Sequence, residues 1–514
     1  MKKLAASALV AAFVLSTMNA FAKDVPVKTV AELTSAIGAA APGDVIILAD
    51  GTYKMTGVSC TANGTPAAPI TVKAATRLAA HIELDALEGF KVSGASWHFE
   101  GLDIKGTCAV DDNCEHAFHV TGGATGFVMR NNRVFDFNAQ LKVNASPDGT
   151  GKYVIPHGGL IEGNELADSR ARNTGNPVTK LNIDTGDDWI VRANYIHDHH
   201  KGGGDNISYG AFMKSGGNNG VMERNLVICT RNDTTGGTRI GLSFGGGGTG
   251  AQYCAPAFDA SKPCDPEHTN GTMRNNIIVA CSDVVIYLNK SKNTHILSNT
   301  LIATSGVDFR FASTGGEARG NLLESAIRDR DGATHTDADN LSGLMTADFT
   351  AMYLDPLKGD LRKKGDLAKL LQKAPILATV ADDYCARKRI DPKYDLGALE
   401  STLGDCTTFP PPIGPGTTPG DSGPTSDSGL GDSASSPDAL DDSAPGSDSG
   451  AAGGDGSVDT AQPTADSGGC GCATPGASTS ANGVLLLATA IAGLAATCRF
   501  SRRAKAAQGR GTDG

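Results

Sequence analysis

Several residue groups in the middle of this chain have types and spacings that could do chemistry. His197-Asp198-His199-His200 runs into Lys201 and the glycines Gly202 to Gly204. Alternate residues of a strand face the same way, so His197 and His199 could share a face and hold a metal ion; a polar loop is the other reading. Lys290 and Arg310 are 20 residues apart in a region that repeats every 22 or 23 residues, which would set the two cations on adjacent turns of a coil, offset by about three residues in phase. Asp283 and Asp308 offer the two carboxylates that glycoside hydrolysis needs, although their positions within the repeat differ by two residues. Glu267-His268 reads as the cap of a surface loop in the stretch after Cys254. Gly245 to Gly248 is followed by neither GKS nor GKT, so it reads as a turn and not as a phosphate cradle.

The elements that must position these groups are legible in a repeat. An Asn followed two residues later by an apolar side chain recurs at Asn132, Asn164, Asn194, Asn225, Asn276, Asn299 and Asn321, with final intervals of 23 and 22 residues. Short runs such as Gly220-Val221-Met222-Glu223 and Thr294-His295-Ile296-Leu297 surround them and are too brief for helices. One coil has no partner for its strand edges, and stacking supplies it. Identical turns then place Asn over Asn, so that the amides bond up a ladder while aliphatic side chains stack inside. The expected fold is all-β, a single-stranded right-handed parallel β-helix. Thr29 to Ala41 has helical spacing and would cap the first coil, Pro42-Gly43-Asp44 would turn into a strand at Val45 to Leu48, and Asp395 to Glu400 would close the far end.

Composition agrees with a solenoid and assigns the rest of the chain. Sixty-five of 514 residues are glycine and only 5% are aromatic, which disfavours a helical bundle. The net charge of −11 disfavours a nucleic-acid surface. From Pro411 to Gly469 there are ten Asp and no Lys or Arg, so the acidity lies in a Gly/Ser/Asp/Pro-rich linker that cannot bury a core, and the remainder is nearly neutral. Lys2, Lys3, the apolar run Leu4 to Met18 and Ala20-Phe21-Ala22 form an export signal with a mature start at Lys23. Cys470-Gly471-Cys472, the 16-residue apolar run Gly483 to Cys498 and the basic cluster Arg499 to Lys505 resemble the C-terminal sorting signal of myxobacterial surface proteins. That resemblance implies processing by a sorting machinery and display on the cell surface; a short membrane anchor is the alternative. The expected organisation is a signal peptide (1–22), the β-helix (23–402), the disordered linker (403–469) and a sorting or anchor segment (470–514). Export makes disulfides expected, with Cys108–Cys114, Cys254–Cys264 and Cys385–Cys406 plausible from spacing.

Two stretches carry a family resemblance. The first runs from Val30-Ala31-Glu32-Leu33 through Pro42-Gly43-Asp44, Asp50-Gly51-Thr52-Tyr53 and Gly64-Thr65 to Pro69-Ile70-Thr71. The second runs from Arg274-Asn275-Asn276 through Asn289-Lys290-Ser291 to Asp308-Phe309-Arg310 and Asn321. Together they resemble the chondroitinase B and alginate lyase family of β-helix polysaccharide lyases. The resemblance implies β-elimination on a uronic-acid polymer, with Lys290 as the base that takes the C5 proton and Arg310 as its partner. A lysine serves as base only if its pKa falls well below about 10.4, and the adjacent carboxylate must be neutralised by a cation. The family places two acidic calcium ligands seven and five residues before the lysine. Here those positions are Asp283 and Val285, and Asn232 stands where an upstream metal-binding Asn is expected. Calcium would then rest on Asp283 and Asn232; without metal, Arg239 or Lys214 would neutralise the uronate. The expected partner is an anionic polysaccharide and the expected state a monomer. The rival reading is a non-catalytic, adhesin-like β-helix that binds glycan at the cell surface.

Overall fold

The computed structural model describes residues 23–246 and 248–406. The export signal, most of the acidic linker and the sorting segment lie outside the described residues. Among those described, three parallel sheets of 12, 11 and 10 strands are stacked along one axis. The chain visits them in fixed order, as in Val128–Arg130 (sheet 1), Arg133–Phe135 (sheet 2) and Ala139–Asn144 (sheet 3). This is the expected parallel β-helix.

The bend from sheet 1 to sheet 2 takes two residues and explains the sequence repeat. The first lies in the left-handed region, at Asn131 (φ 57°), Ala193 (52°), Arg224 (53°), Asn275 (54°) and Ser298 (51°), with glycine in that place at Gly163 and Gly320. The second is the repeated Asn. Asn164 Nδ2 donates to Asn194 Oδ1 at 2.9 Å, Asn194 to Asn225 at 3.0 Å, Asn225 to Asn276 at 3.0 Å and Asn276 to Asn299 at 2.9 Å. The same Oδ1 atoms also accept the backbone N–H of the preceding Asn, and each Nδ2 also reaches a carbonyl, as Asn276 does with Met222. Buried amides are thereby satisfied, which their burial requires. Asn340 adds an eighth rung.

Inside, single inward residues stack coil on coil, including Ile161, Val191, Met222, Met273 and Ile296 from sheet 1 and Leu166, Ile196, Val227, Ile278 and Leu301 from sheet 2. The helix Val30–Gly38 covers the first coil with Leu33 and Ile37, and Thr29 with Glu32 forms its capping box. At the far end the ring of His335 stacks on Phe309 at 4.6 Å.

The segment after the last coil differs from expectation. Residues 346–406 do not continue or cap the solenoid. They lie along the outside of sheet 2, where Phe349, Met352, Leu367 and Leu370 meet Leu226, Ile228, Ile277 and Ile302. Strand alternation explains this: these sheet 2 residues flank inward Val227, Ile278 and Leu301, and an apolar outer face needs a cover. The segment Asp395 to Glu400 belongs to that cover, with Gly397 N–H on Gly320 O and Ala398 N–H on Thr300 Oγ1.

Cys108–Cys114, Cys254–Cys264 and Cys385–Cys406 are disulfides, and a fourth, Cys229–Cys281, links adjacent coils across 52 residues of sequence. Among the described cysteines, Cys60 is left over, buried and free. Spacing could not reveal the fourth pair, because the 245–271 insertion separates two cysteines that are one coil apart. Closing so long a loop constrains the unfolded chain, so replacing Cys229 and Cys281 by Ser should lower the unfolding free energy by about 2–4 kcal/mol in denaturant titration. An unchanged midpoint would deny the staple its role. Among the described residues, no helix is long and apolar enough to cross a membrane.

Candidate functional site

The loops select one sheet. Sheets 1 and 2 meet in the two-residue Asn bend, whereas both edges of sheet 3 carry the long connections. Residues 168–177, 198–206 and 229–237 rise at its entry edge, and 145–159 and 245–271 at its exit edge. The last two are joined by Tyr153 stacked on Phe258 at 4.1 Å. Gly245, at φ 93°, lets the insertion leave beside Asn289, whose carbonyl oxygen would lie 1.7 Å from an added Cβ. Sheet 3 is therefore the floor of a groove between two rows of loops.

Its strands share a kink in which two consecutive residues point into the core, as Ala117-Phe118 and Val285-Ile286 do. Beyond the kink the outward row, in register, reads His119, Lys142, Asn182, Phe212, Ser243, Tyr287, Asp308 and Arg328. The floor is polar and charged at both ends and carries a patch of Tyr209, Phe212, Ile240, Val284 and Tyr287 between them.

Lys290 and Arg310 come together beside that patch. Arg310 pairs in register with Asn289, so the phase offset from Lys290 is one residue, and Lys290 N–H donates to Arg310 O across the coils. Both cations lie over the ring of Phe311, Arg310 at 4.8 Å and Lys290 at 6.0 Å from its centre. Arg310 Nη1 donates to Tyr287 Oη at 3.1 Å, and its Nε is 2.6 Å from Asp331 Oδ2. Burial pushes the Tyr287 phenol above its ordinary pKa, against the pull of Arg310. Arg330 is the next residue in register with Arg310 and extends the positive end by one coil.

Lys214, two coils earlier, also stands on the floor. It is 3.4 Å from Asp184 Oδ1, donates to Gly248 O at 3.2 Å and covers the Phe212 ring at 4.9 Å. Asp184 pairs with Lys142 as well; burial acts to raise its pKa, and the two lysines together hold it below the usual carboxylate range.

The other sequence candidates lie elsewhere. Arg239 has a fully buried side chain that donates to the carbonyls of Cys229, Asp233 and Thr235 and pairs with Asp233, so it braces the 229–237 loop from inside and offers no face to a polymer. Asn232 is committed to Asp198, through Nδ2 to Oδ2 at 2.7 Å and N–H to Oδ1 at 2.7 Å. Val285 belongs to the core, because the kink turns its position inward, and Asp283 stands half-buried at the entry edge. These donors do not fit a calcium ion: one position is apolar and inward, and the Asn amide is spent on another carboxylate. Asp308 lies in an Arg cage, 2.7 Å from Arg328 and 2.6 Å from Arg330, and is fully buried, so Asp283 and Asp308 do not form a hydrolase pair.

The histidine run is likewise divided. Asp198 at φ 51° breaks the alternation. His197 bonds Asp198 and Glu165, buried His199 faces Ser208 and His200 bonds Asp233. Glu267-His268 is not a surface cap. Glu267 is buried and accepts from Ser215, Thr249 N–H and Thr249 Oγ1, and His268 is buried against the Phe244 ring at 4.3 Å. Burial drives His268 down to a pKa of about 3. The unfolded chain then binds a proton near pH 6.5 that the folded chain refuses, so stability falls as pH drops from about 6.5 toward 3, by about 1 kcal/mol per unit from this residue. Unfolding of His268→Leu between pH 4 and 6 should show a correspondingly flatter slope; an identical slope would exclude the residue as a source.

Sequence reasoning missed Tyr287, Phe311, Lys142 and Asp184. Tyr287 follows an outward/inward alternation counted back from Asn289, but the kink at Val285-Ile286 stops the count there.

Comparison with known proteins finds one family model and several solved structures to which the chain is similar. The family model for chondroitinase B matches residues 27–116, the first coils, which end before Lys290 and Arg310. Solved structures similar to this chain include the pectate lyase Pel9A, at 14% identity and TM-score 0.49, covering 71% of this chain and 90% of that one. An alginate lyase from Paenibacillus sp. str. FPU-7 shows 16% identity and TM-score 0.33, over 61% of this chain and 97% of that one. A PL6-family polysaccharide lyase from Pseudopedobacter saltans shows 12% identity and TM-score 0.33, over 66% and 96%. No curated protein matches this chain in sequence.

Proposed function

We propose that this protein is a polysaccharide lyase that cleaves a uronic-acid-containing polymer by β-elimination, displayed at the cell surface. The observation that carries the reading is the convergence of Lys290 and Arg310 on the Phe311 ring, beside Tyr287, on the floor of a long groove.

The chemistry follows from those groups. The polymer lies along sheet 3 and the uronate carboxylate meets the guanidinium of Arg310, with Arg330 on the next coil. Charge that develops beside the carboxylate when C5 loses its proton is then stabilised by fixed cations next to an apolar patch. Lys290 Nζ is the group placed to take the C5 proton. The C5–H electron pair forms the C4–C5 double bond, the C4–O bond breaks, and the departing oxygen takes the Tyr287 phenol proton, which burial retains at neutral pH. Lys214 and Lys142, paired through Asp184, supply positive charge for a carboxylate further along the chain.

Elimination adds no water, whereas hydrolysis does. Mass spectrometry of the digest should therefore show fragments that end in an unsaturated sugar, lighter by one water than hydrolysis would give. Saturated ends alone would replace the lyase by a hydrolase, and tight binding without any cleavage would favour the adhesin-like reading.

A further inference from the structure

The geometry points to a second site on the same groove floor, a transition-metal site of the zinc class formed by Glu88, His116 and His119. Among the described residues, these are the His, Cys, Asp or Glu side chains that gather three ligand atoms, all within 4.8 Å of one another. The kink of sheet 3 builds the site. Because Ala117 and Phe118 both turn into the core, His116 and His119 both emerge on the groove face, although a regular strand would set residues three apart on opposite faces. Glu88 joins them from the preceding coil, in register with His116.

Two further observations point to a ligand. His116 Nδ1 is buried without a hydrogen-bond partner and faces Glu88 Oε1 at 4.0 Å. The ring of His119 is pre-set by its other nitrogen. Asn144 gives its Nδ2 to Ala145 O, which turns its Oδ1 toward His119 Nε2 at 2.7 Å. An Nε2–H held in this way leaves Nδ1 as the metal-binding nitrogen, the usual outer-shell arrangement of a ligating histidine. That Nδ1 lies 2.6 Å from Glu88 Oε1, so an ion held by both atoms would replace this hydrogen bond and draw the two donors apart to admit it. Two imidazoles and one carboxylate suit Zn²⁺ or Co²⁺ and do not suit Ca²⁺, which prefers oxygen. All three side chains are partly exposed, so a fourth position opens to the groove. The site is five coils from Tyr287, about 24 Å along the floor. It does not depend on the lyase reading.

The test is Zn²⁺ binding by full-length protein, measured by calorimetry after chelator treatment, with Co²⁺ absorption reporting coordination. One ion per chain is expected, with affinity falling at least tenfold in His116→Ala and in His119→Ala. His295→Ala is the control: His295 makes the same kind of pair with Glu317, at 2.7 Å, but has no third ligand, so its removal should change nothing. Thermal unfolding provides a second readout, with Zn²⁺ raising the midpoint of the wild type but not of the two site variants. No binding, or binding that persists in either site variant, would overturn the proposal.

Discussion

Lys290→Ala should lower the rate of polymer cleavage by about 10²- to 10⁴-fold while the protein remains folded. The fold should survive because Lys290 contributes to the coil chiefly through its backbone: its N–H meets Arg310 O and its carbonyl accepts from Glu267 N–H, bonds that alanine keeps. Lys290→Arg retains the positive charge and should not restore activity, since a guanidinium does not give up its proton to become a base. Arg310→Ala should cause a loss of similar size through the carboxylate it no longer neutralises, and Arg310→Lys should restore part of it. Initial rates on the cleaved polymer, beside circular dichroism of each variant, check the set. Full activity in Lys290→Ala would remove the base from the mechanism.

The second large effect is on stability. Asp168 and Lys180 form an ion pair with both side chains fully buried, Oδ2 to Nζ at 2.5 Å, and Lys180 also donates to Phe137 O at 2.9 Å. Burial pushes the Asp168 carboxyl up to about 6 and the Lys180 amine down, against their mutual attraction. Removing one partner strands the other charge in the interior. Asp168→Ala should therefore cost about 3–5 kcal/mol in denaturant unfolding, whereas Asp168→Leu combined with Lys180→Met should cost far less. A double variant as damaged as the single one would show that the pair does more than cancel its own desolvation.

The fold was legible because its grammar is local and repeated. Each Asn of the ladder occupies the same bend and bonds to the next, so seven similar tripeptides announced seven coils, and the capping helix announced itself through the helical spacing of Thr29 to Ala41. What stayed hidden depends on contacts between distant residues. The cover over sheet 2 has no repeat, and the pairing of Cys229 with Cys281 crosses an insertion. At the site, spacing placed Lys290 and Arg310 on neighbouring coils, but it could not tell an interior arginine from an exposed one. Arg239 and Arg310 look alike in sequence, yet one braces a loop and the other faces the groove. The kink at Ala117-Phe118 and Val285-Ile286 is equally silent, since it replaces alternation with two inward residues. It removes Val285 from the groove and brings His116 and His119 onto it.

The most direct test of the central claim is the ultraviolet absorbance of unsaturated uronate while the full-length protein acts on alginate, chondroitin and dermatan sulfates, pectate and heparin-like chains, each with chelator and with added calcium. The account predicts a steady rise on at least one of these polymers, undiminished by chelator because no step uses calcium, and absent from Lys290→Ala. A flat trace on every uronate polymer, or a rise that Lys290→Ala retains, would contradict it.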